Sequence, residues 1–170
     1  YEDFLNKLHT NPEGYHFQVT LFSSLLQGEG APGQITSRLV EIFNDIGSYD
    51  AVVIVRGGGG TIDLNCFNDY KLSRAVARFP VPVITGIGHT TNISVVDEVA
   101  HADCITPTAA ADFLIQKCRD FEDYLMETMN GIVANYEFAA AEARSWLSEA
   151  AGALSANAAG LVESALEPPL

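Results

Sequence analysis

Apolar residues follow alternating helix-like and strand-like spacings as far as residue 106. Residues 51–55 read Ala-Val-Val-Ile-Val, an unbroken run of small and β-branched side chains that is typical of a strand buried on both faces. Further strands are predicted at 15–22, from its alternation of polar and apolar residues, at 81–85, and as a short piece at 104–105. Apolar stripes predict helices at about 1–9, 35–46, 68–79 and 93–100.

Strands that alternate with helices predict an α/β fold with a mostly parallel sheet flanked by helices. From residue 109 onward the apolar residues follow steps of three and four, which predicts one long C-terminal helix. We therefore predict an α/β core over residues 1–108 and a long amphipathic, Ala-rich helical extension over 109–170. Because the chain begins at Tyr1 without an initiator Met, we expect it to be an excerpt whose core is truncated at its N-terminus.

The charge balance narrows the function classes. A net charge of −13 argues against a protein that coats duplex nucleic acid through a generally basic surface. Nine acidic and two basic side chains lie in residues 119–170, so the acidity is concentrated in the extension and a local basic site remains compatible with the core. The three cysteines lack metal-binding spacing and suit a reduced, cytoplasmic setting, and no apolar run is long enough for a membrane span.

A glycine-rich turn directly follows the strand at 51–55. Arg56 precedes it, and the turn consists of Gly57, Gly58, Gly59, Gly60 and Thr61. Glycines without Cβ atoms let backbone N–H groups approach a ligand, and an arginine supplies a permanent, planar donor for an anion. No Lys follows the glycines as in a P-loop, and the spacing of a dinucleotide-binding turn is absent. The remaining prediction is a site for a single phosphate.

A second turn, with Gly86, Gly88 and His89, follows the strand at 81–85. Ligands of parallel sheets bind beyond the carboxyl ends of the strands, where both turns are expected. His89 is therefore a candidate acid or base, and the alternative is a structural histidine with satisfied hydrogen bonds.

Five other polar residues are candidate supports for this site. Asp63 follows the glycine turn and suits orientation of Arg56 or of a water, whereas Asn68 also suits a helix cap. Thr106 and Thr108 stand at the start of the long helix, where capping explains one of them and a phosphate contact is the alternative. Asp97 either supports the site or is simply solvated.

Several motifs together resemble the exodeoxyribonuclease VII large-subunit family. They are the opening Tyr-Glu-Asp-Phe-Leu, the Gln-Gly-Glu-Gly-Ala-Pro loop from residue 27, the segment Arg-Gly-Gly-Gly-Gly-Thr-Ile-Asp-Leu-Asn-Cys-Phe-Asn-Asp from residue 56, Pro-Val-Ile-Thr-Gly-Ile-Gly-His from residue 82, and Thr-Pro-Thr-Ala-Ala-Ala from residue 106. The likeness is residue by residue between residues 3 and 111. In the long helix the chain is similar to the family in kind and not residue by residue.

The resemblance implies an exonuclease that hydrolyses phosphodiester bonds of single-stranded DNA from both ends to oligonucleotides, without an obligatory divalent metal or another cofactor. It also implies an N-terminal OB-fold before this domain and small helical subunits on the C-terminal part, so that a hetero-oligomer is expected. The functional aspartate, arginine and histidine of the family fall on Asp3, Arg56 and His89.

The chain departs from the family directly after the histidine. The family usually reads Gly-His-Glu-x-Asp, whereas this chain has Thr90 and Asn92 at the two acidic positions. Asn92 can form hydrogen bonds but cannot act as a base. Two alternatives to an active nuclease follow: a degenerate, non-catalytic module that binds phosphate or another anion, and a helical assembly scaffold.

Overall fold

Helices and strands alternate in the computed structural model, which describes residues 1–25, 27–56, 65–87 and 93–166, with side chains as far as residue 162. The helices are α1 (Glu2–His9), α2 (Ala31–Asn44), α3 (Tyr70–Ala77), α4 (Val95–Val99) and α5 (Pro107–Leu166), and the strands are β1 (Val52–Val55), β2 (Val83–Gly86) and β3 (Ala102–Asp103). Short 3-10 turns occur at Ile46–Ser48 and Asn65–Asn68.

The three strands form a parallel sheet with β2 in the centre. Ile54 of β1 lies opposite Thr85, and Thr85 lies opposite Asp103 of β3. Every residue of β2 is buried, as expected for a central strand covered on both faces. This sheet, its flanking helices and the long C-terminal helix confirm the predicted fold class.

Two hydrophobic clusters cover the opposite faces of the sheet. On one face, α2, α3 and α4 pack against β1 and against Val83 of β2. On the other face, α1 and the first turns of α5 pack against Ile84. Because successive side chains of a strand point to opposite faces, the neighbours Val83 and Ile84 connect the two layers of helices through one strand.

Two predicted strands were wrong. Residues 15–22 are not part of the described sheet, and the side chains at 18–21 are all exposed. Phe17 packs against one hydrophobic cluster and Phe22 against the other, so the alternation reflects burial of aromatic rings and not a hydrogen-bonded ladder. The strand expected at 104–105 lies two residues earlier, at Ala102–Asp103, because pairing with β2 sets its position.

The helix starts follow local chemistry. The structure begins α2 at Ala31, four residues before the prediction, with Pro32 in its first turn, where a residue without an N–H is tolerated. The start of α3 is set by Asp69, whose carboxylate accepts hydrogen bonds of 2.9 Å from the backbone N–H groups of both Lys71 and Leu72.

The chain divides into two compact units, Tyr1–Arg119 and Asp120–Leu170. The first unit contains the sheet, α1 to α4 and the start of α5. The described part of the second unit is helical throughout. Our boundary after residue 108 stays a prediction. Across the described ranges, no helix has the length and apolar character needed to cross a membrane.

Gly86, the last residue of β2, lies against the start of α5. A Cβ atom at this residue would be 3.0 Å from the carbonyl oxygen of Thr106 and 3.3 Å from the Cβ of Ala110. Both neighbours belong to a packed helix start, so neither can move without disturbing its own hydrogen bonds. The glycine is required because backbone and helix approach closely here.

We expect Gly86→Ala to lower the free energy of unfolding by about 1–3 kcal/mol, since it overpacks this contact. Chemical denaturation followed by circular dichroism measures the change. Gly33→Ala is the matched control, because a Cβ at Gly33 meets nothing within 4 Å and the residue lies in helix α2. Its stability should stay unchanged or rise by up to about 1 kcal/mol. Equal losses in both variants would contradict the role of the close contact.

Candidate active site

Arg56 continues the hydrogen-bonded ladder of β1 by one residue. Its backbone N–H donates to the carbonyl oxygen of Gly86 at 3.3 Å, and only 8% of the residue is exposed. The alternation along β1 therefore puts Arg56 on the same face as Ile54 and Thr85. A permanently charged guanidinium at the buried carboxyl edge of a parallel sheet lies where such folds bind anions.

All predicted phosphate-binding residues, Gly57, Gly58, Gly59, Gly60 and Thr61, lie outside the described residues. The same holds for the catalytic candidate His89 and for the candidate supports Asp63 and Asn92. The structure does describe the residues that flank them. Arg56 and Ile87 are the last described residues before the two turns, and they lie at the ends of neighbouring strands.

A second hydrogen bond connects the residues that follow the two turns. The backbone N–H of Val95 donates to the side-chain oxygen of Asn68 at 3.0 Å. The alternative prediction that Asn68 caps α3 is wrong, because Asp69 caps that helix. Its amide instead binds the first residue of α4. Both turns are thus bracketed by cross-links, one at Arg56–Gly86 and one at Asn68–Val95.

Thr106 and Thr108 form the capping structure at the start of α5. The hydroxyl of Thr106 accepts a hydrogen bond of 3.1 Å from the backbone N–H of Ala109, and the two threonine hydroxyls are 2.9 Å apart. The prediction that capping explains one of them is confirmed for Thr106. Since the carbonyl of Thr106 lies against Gly86, this exposed helix start belongs to the same edge as Arg56.

Asp3 is exposed in the first turn of α1, with no side-chain contact to Arg56 among the described interactions. Two ion pairs connect the N-terminal segment to α5. Lys7 of α1 binds Asp112 at 3.0 Å, and Glu13, in the loop after α1, binds Arg119. A role of Asp3 at the candidate site stays a prediction.

Asp97 is buried, so the interpretation that it is simply solvated was wrong. Its Oδ2 accepts hydrogen bonds from the backbone N–H of Ser94 at 3.1 Å and from the Ser94 hydroxyl at 2.7 Å. The hydroxyl of Ser94 in turn accepts from the N–H of Asp97 at 3.2 Å. This is a capping box at the start of α4, and the sequence Ser-x-x-Asp was sufficient to predict it.

Comparisons with known proteins identify the family to which this arrangement belongs. A family model described as "Exonuclease VII, large subunit" matches residues 1–167. The chain belongs to the exonuclease VII large-subunit family. The resemblance in its motifs is thereby confirmed.

Individual relatives of the exonuclease VII large-subunit family agree with the family match. An exodeoxyribonuclease 7 large subunit of Shouchella clausii is 41% identical over 108 residues, which is 64% of this chain and 23% of the relative. That of Ligilactobacillus salivarius is 33% identical over 127 residues, 71% of this chain and 28% of the relative. That of Xanthomonas oryzae pv. oryzae is 43% identical over 103 residues, 61% of this chain and 23% of the relative. The chain spans about a quarter of the length of the relatives that it matches.

Sequence reasoning missed two paired residues of the sheet, Thr85 and Asp103, on the face that α4 covers. Thr85 is fully buried at the end of β2, and Asp103 lies opposite it in β3. Burial, and then the negative charge of Asp97, raise the pKa of the Asp103 carboxyl. The Thr85 hydroxyl acts in the opposite direction on this pKa, although no hydrogen bond of standard geometry joins the two. A threonine ending an otherwise apolar strand was the available signal for Thr85.

The raised pKa of Asp103 predicts a pH dependence of stability. The folded state favours the protonated carboxyl, so the stabilising effect of protonation is complete below the usual value of 3.8 and is lost as pH rises through the folded pKa. We expect Asp103→Asn to be more stable than the wild type at neutral pH, and this difference to shrink on acidification.

Urea denaturation across a pH series measures the difference between the two proteins. Glu98→Gln removes an exposed carboxylate from the same helix as Asp97 and controls for the change in net charge. Parallel stability profiles for the wild type and Asp103→Asn would show that neither partial desolvation nor the charge of Asp97 acts on the Asp103 carboxyl.

Proposed function

We propose that this chain is the catalytic core of a nuclease that hydrolyses single-stranded DNA from both ends to oligonucleotides. Membership of the exonuclease VII large-subunit family supports the reaction class. The structural observation in its favour is the bracketing of both turns by the Arg56–Gly86 and Asn68–Val95 hydrogen bonds. Segments that follow the carboxyl ends of parallel strands on a rigid scaffold are where α/β enzymes place their reacting groups.

In the proposed reaction a water oxygen attacks the phosphorus, the ester P–O bond breaks, and the leaving oxygen takes up a proton. Arg56 and the N–H groups of Gly57 to Gly60 bind the phosphate oxygens and neutralise charge that develops on them. His89 is the general acid or base, and Asp3 either orients His89 or activates the water. These groups need no metal ion to balance the charge of one phosphodiester.

The negative net charge of the chain argues against this segment as the main source of affinity for DNA. With a net charge of −13, the chain repels a polyanion over most of its surface. We therefore assign most of the affinity for DNA to regions of the large subunit outside this segment, in agreement with the OB-fold that the family resemblance implies. The core supplies a local cationic centre at Arg56.

The second unit has a surface suited to binding a partner, the small subunit. Its helical residues include exposed apolar side chains at helical spacing, among them Leu125, Met129, Ile132 and Tyr136. We propose that this stripe binds the small subunit in a hetero-oligomer. The number and spacing of the three cysteines, Cys66, Cys104 and Cys118, fit a cytoplasmic location, where thiols stay reduced.

The catalytic assignment is tested by Arg56→Ala and His89→Ala in the full-length large subunit assembled with its small subunit. We expect each substitution to lower the rate of cleavage of end-labelled single-stranded DNA by about 100-fold or more. Arg74→Ala, which removes an exposed arginine from α3, should leave the rate within about twofold and controls for a lost positive charge. Near-normal cleavage by either alanine variant would remove that residue from the mechanism.

A second candidate function is a non-catalytic module that binds an anion, and the residues Thr90 and Asn92 favour it. We expect the full-length complex to cleave single-stranded DNA in the presence of a chelator. Asn92→Asp should raise the rate, because a carboxylate stabilises a cationic imidazole by charge and an amide does not. A complex that binds DNA but is inactive both with Asn92 and with Asp at this site would instead establish the anion-binding module.

A further inference from the structure

Three oxygen-bearing side chains belong to α4 and to the face of the sheet that α4 covers, and of these Thr85 and Asp97 are buried and Asp103 is exposed. Thr85 and Asp103 are opposite each other on neighbouring parallel strands, so their side chains point to the same face. That face is the one that α4 covers, since Val96 of α4 packs in the same cluster as Val83 and Ile54. Asp97 belongs to α4, which contacts β3 directly, and its charge acts on Asp103.

Two oxygens of this cluster are buried and form no hydrogen bond of standard geometry, although one of them, the Thr85 hydroxyl, lies close enough to Asp103 to lower the pKa of its carboxyl. They are the hydroxyl oxygen of Thr85, which is 0% exposed, and Oδ1 of Asp97, which is 9% exposed as a residue. The other oxygen of Asp97 is used by Ser94, so Oδ1 remains directed away from the capping box. A buried polar atom without a partner is costly, and two such atoms beside a second carboxylate indicate that something else binds them.

The charges identify the kind of ligand. Asp97 and Asp103 together supply two negative charges, and none of the described ion pairs brings a Lys or Arg to either of them. In the described ranges, no three His, Cys, Asp or Glu side chains lie together as metal ligands. A cation here therefore needs the Thr85 hydroxyl in addition to the two carboxylates. Carboxylate and hydroxyl oxygens are hard ligands, which favour Mg²⁺, Ca²⁺ or Mn²⁺ over Zn²⁺ or copper.

We propose that Thr85, Asp97 and Asp103 form a binding site for a divalent cation with oxygen ligands. Two carboxylates neutralise the ion, the Thr85 hydroxyl supplies a third ligand, and water completes the coordination shell, as is usual for Mg²⁺. This differs from the sequence prediction, in which no metal ligand was expected. It does not rest on the proposed nuclease reaction, for which Arg56 supplies the positive charge.

The location gives the cation a structural effect on the edge of the sheet. Thr85 directly precedes Gly86, to which Arg56 is hydrogen-bonded, and Asp97 belongs to the helix that Asn68 binds. A cation that joins β2, β3 and α4 therefore stabilises the residues on both sides of the second turn.

Binding of Mn²⁺ to the full-length large subunit tests the proposal directly. The free ion is measured by electron paramagnetic resonance at increasing Mn²⁺ concentration. We expect Asp103→Asn and Thr85→Val each to weaken one Mn²⁺ site by about tenfold or more, since loss of a ligand is at least as severe as loss of its outer-shell support. Glu98→Gln, which removes an exposed carboxylate one residue from Asp97, should leave this site intact.

Thermal unfolding in chelator and in Ca²⁺ provides a second measurement, which distinguishes loss of the cation site from misfolding of a variant. In chelator both variants should unfold at a higher temperature than the wild type, because one removes repulsion between carboxylates and the other removes an unpaired hydroxyl. In Ca²⁺ the wild type should gain in melting temperature and the variants should not.

Unchanged Mn²⁺ binding in Asp103→Asn and Thr85→Val would overturn the proposal, as would an equal loss of binding in Glu98→Gln. A wild type that shows no response to any divalent ion but takes up one proton per chain on folding at mildly acidic pH would also overturn it. The two carboxylates would then share a proton in place of a cation.

Discussion

The contact between the end of β2 and the start of α5 is the constraint on which the rest of the core depends. It is possible only because Gly86 has no Cβ where Thr106 and Ala110 approach. Through it, the central strand and the capped start of the longest helix meet at one edge. Arg56 is hydrogen-bonded to the same glycine, so one residue without a side chain holds the backbone of the candidate site on two sides.

The described residues explain how two glycine-containing segments can serve one site. Glycines have a high conformational entropy in the unfolded chain, so a turn rich in them needs fixed ends to hold a ligand. Here those ends are fixed on both sides, by backbone pairing at Arg56 and by the amide of Asn68 on Val95.

Some polar groups of the core have hydrogen-bond partners and others have none. Asp69, Ser94 and Thr106 each use their side chains to cap a helix, and these bonds stabilise the fold in the ordinary way. Thr85 and Oδ1 of Asp97 do not have partners, although they are among the most buried polar groups of the described chain. Buried oxygens without partners carry a local cost that a ligand bound to them can offset.

Local chemistry in the sequence determined the buried strand β1, the second strand up to Gly86, the order of helices and the long α5, because spacing of apolar residues and helix caps act over a few neighbours. It also located Arg56 at a strand end. Strand pairing depends on contacts distant in sequence. Residues 15–22 have a strand-like pattern but join no described sheet, and β3 lies at Ala102–Asp103, where it pairs with β2. Which oxygens remain unpartnered likewise depends on side chains distant in sequence. Only the tertiary structure therefore brought Asn68 to α4 and set Asp103 beside Thr85 and Asp97.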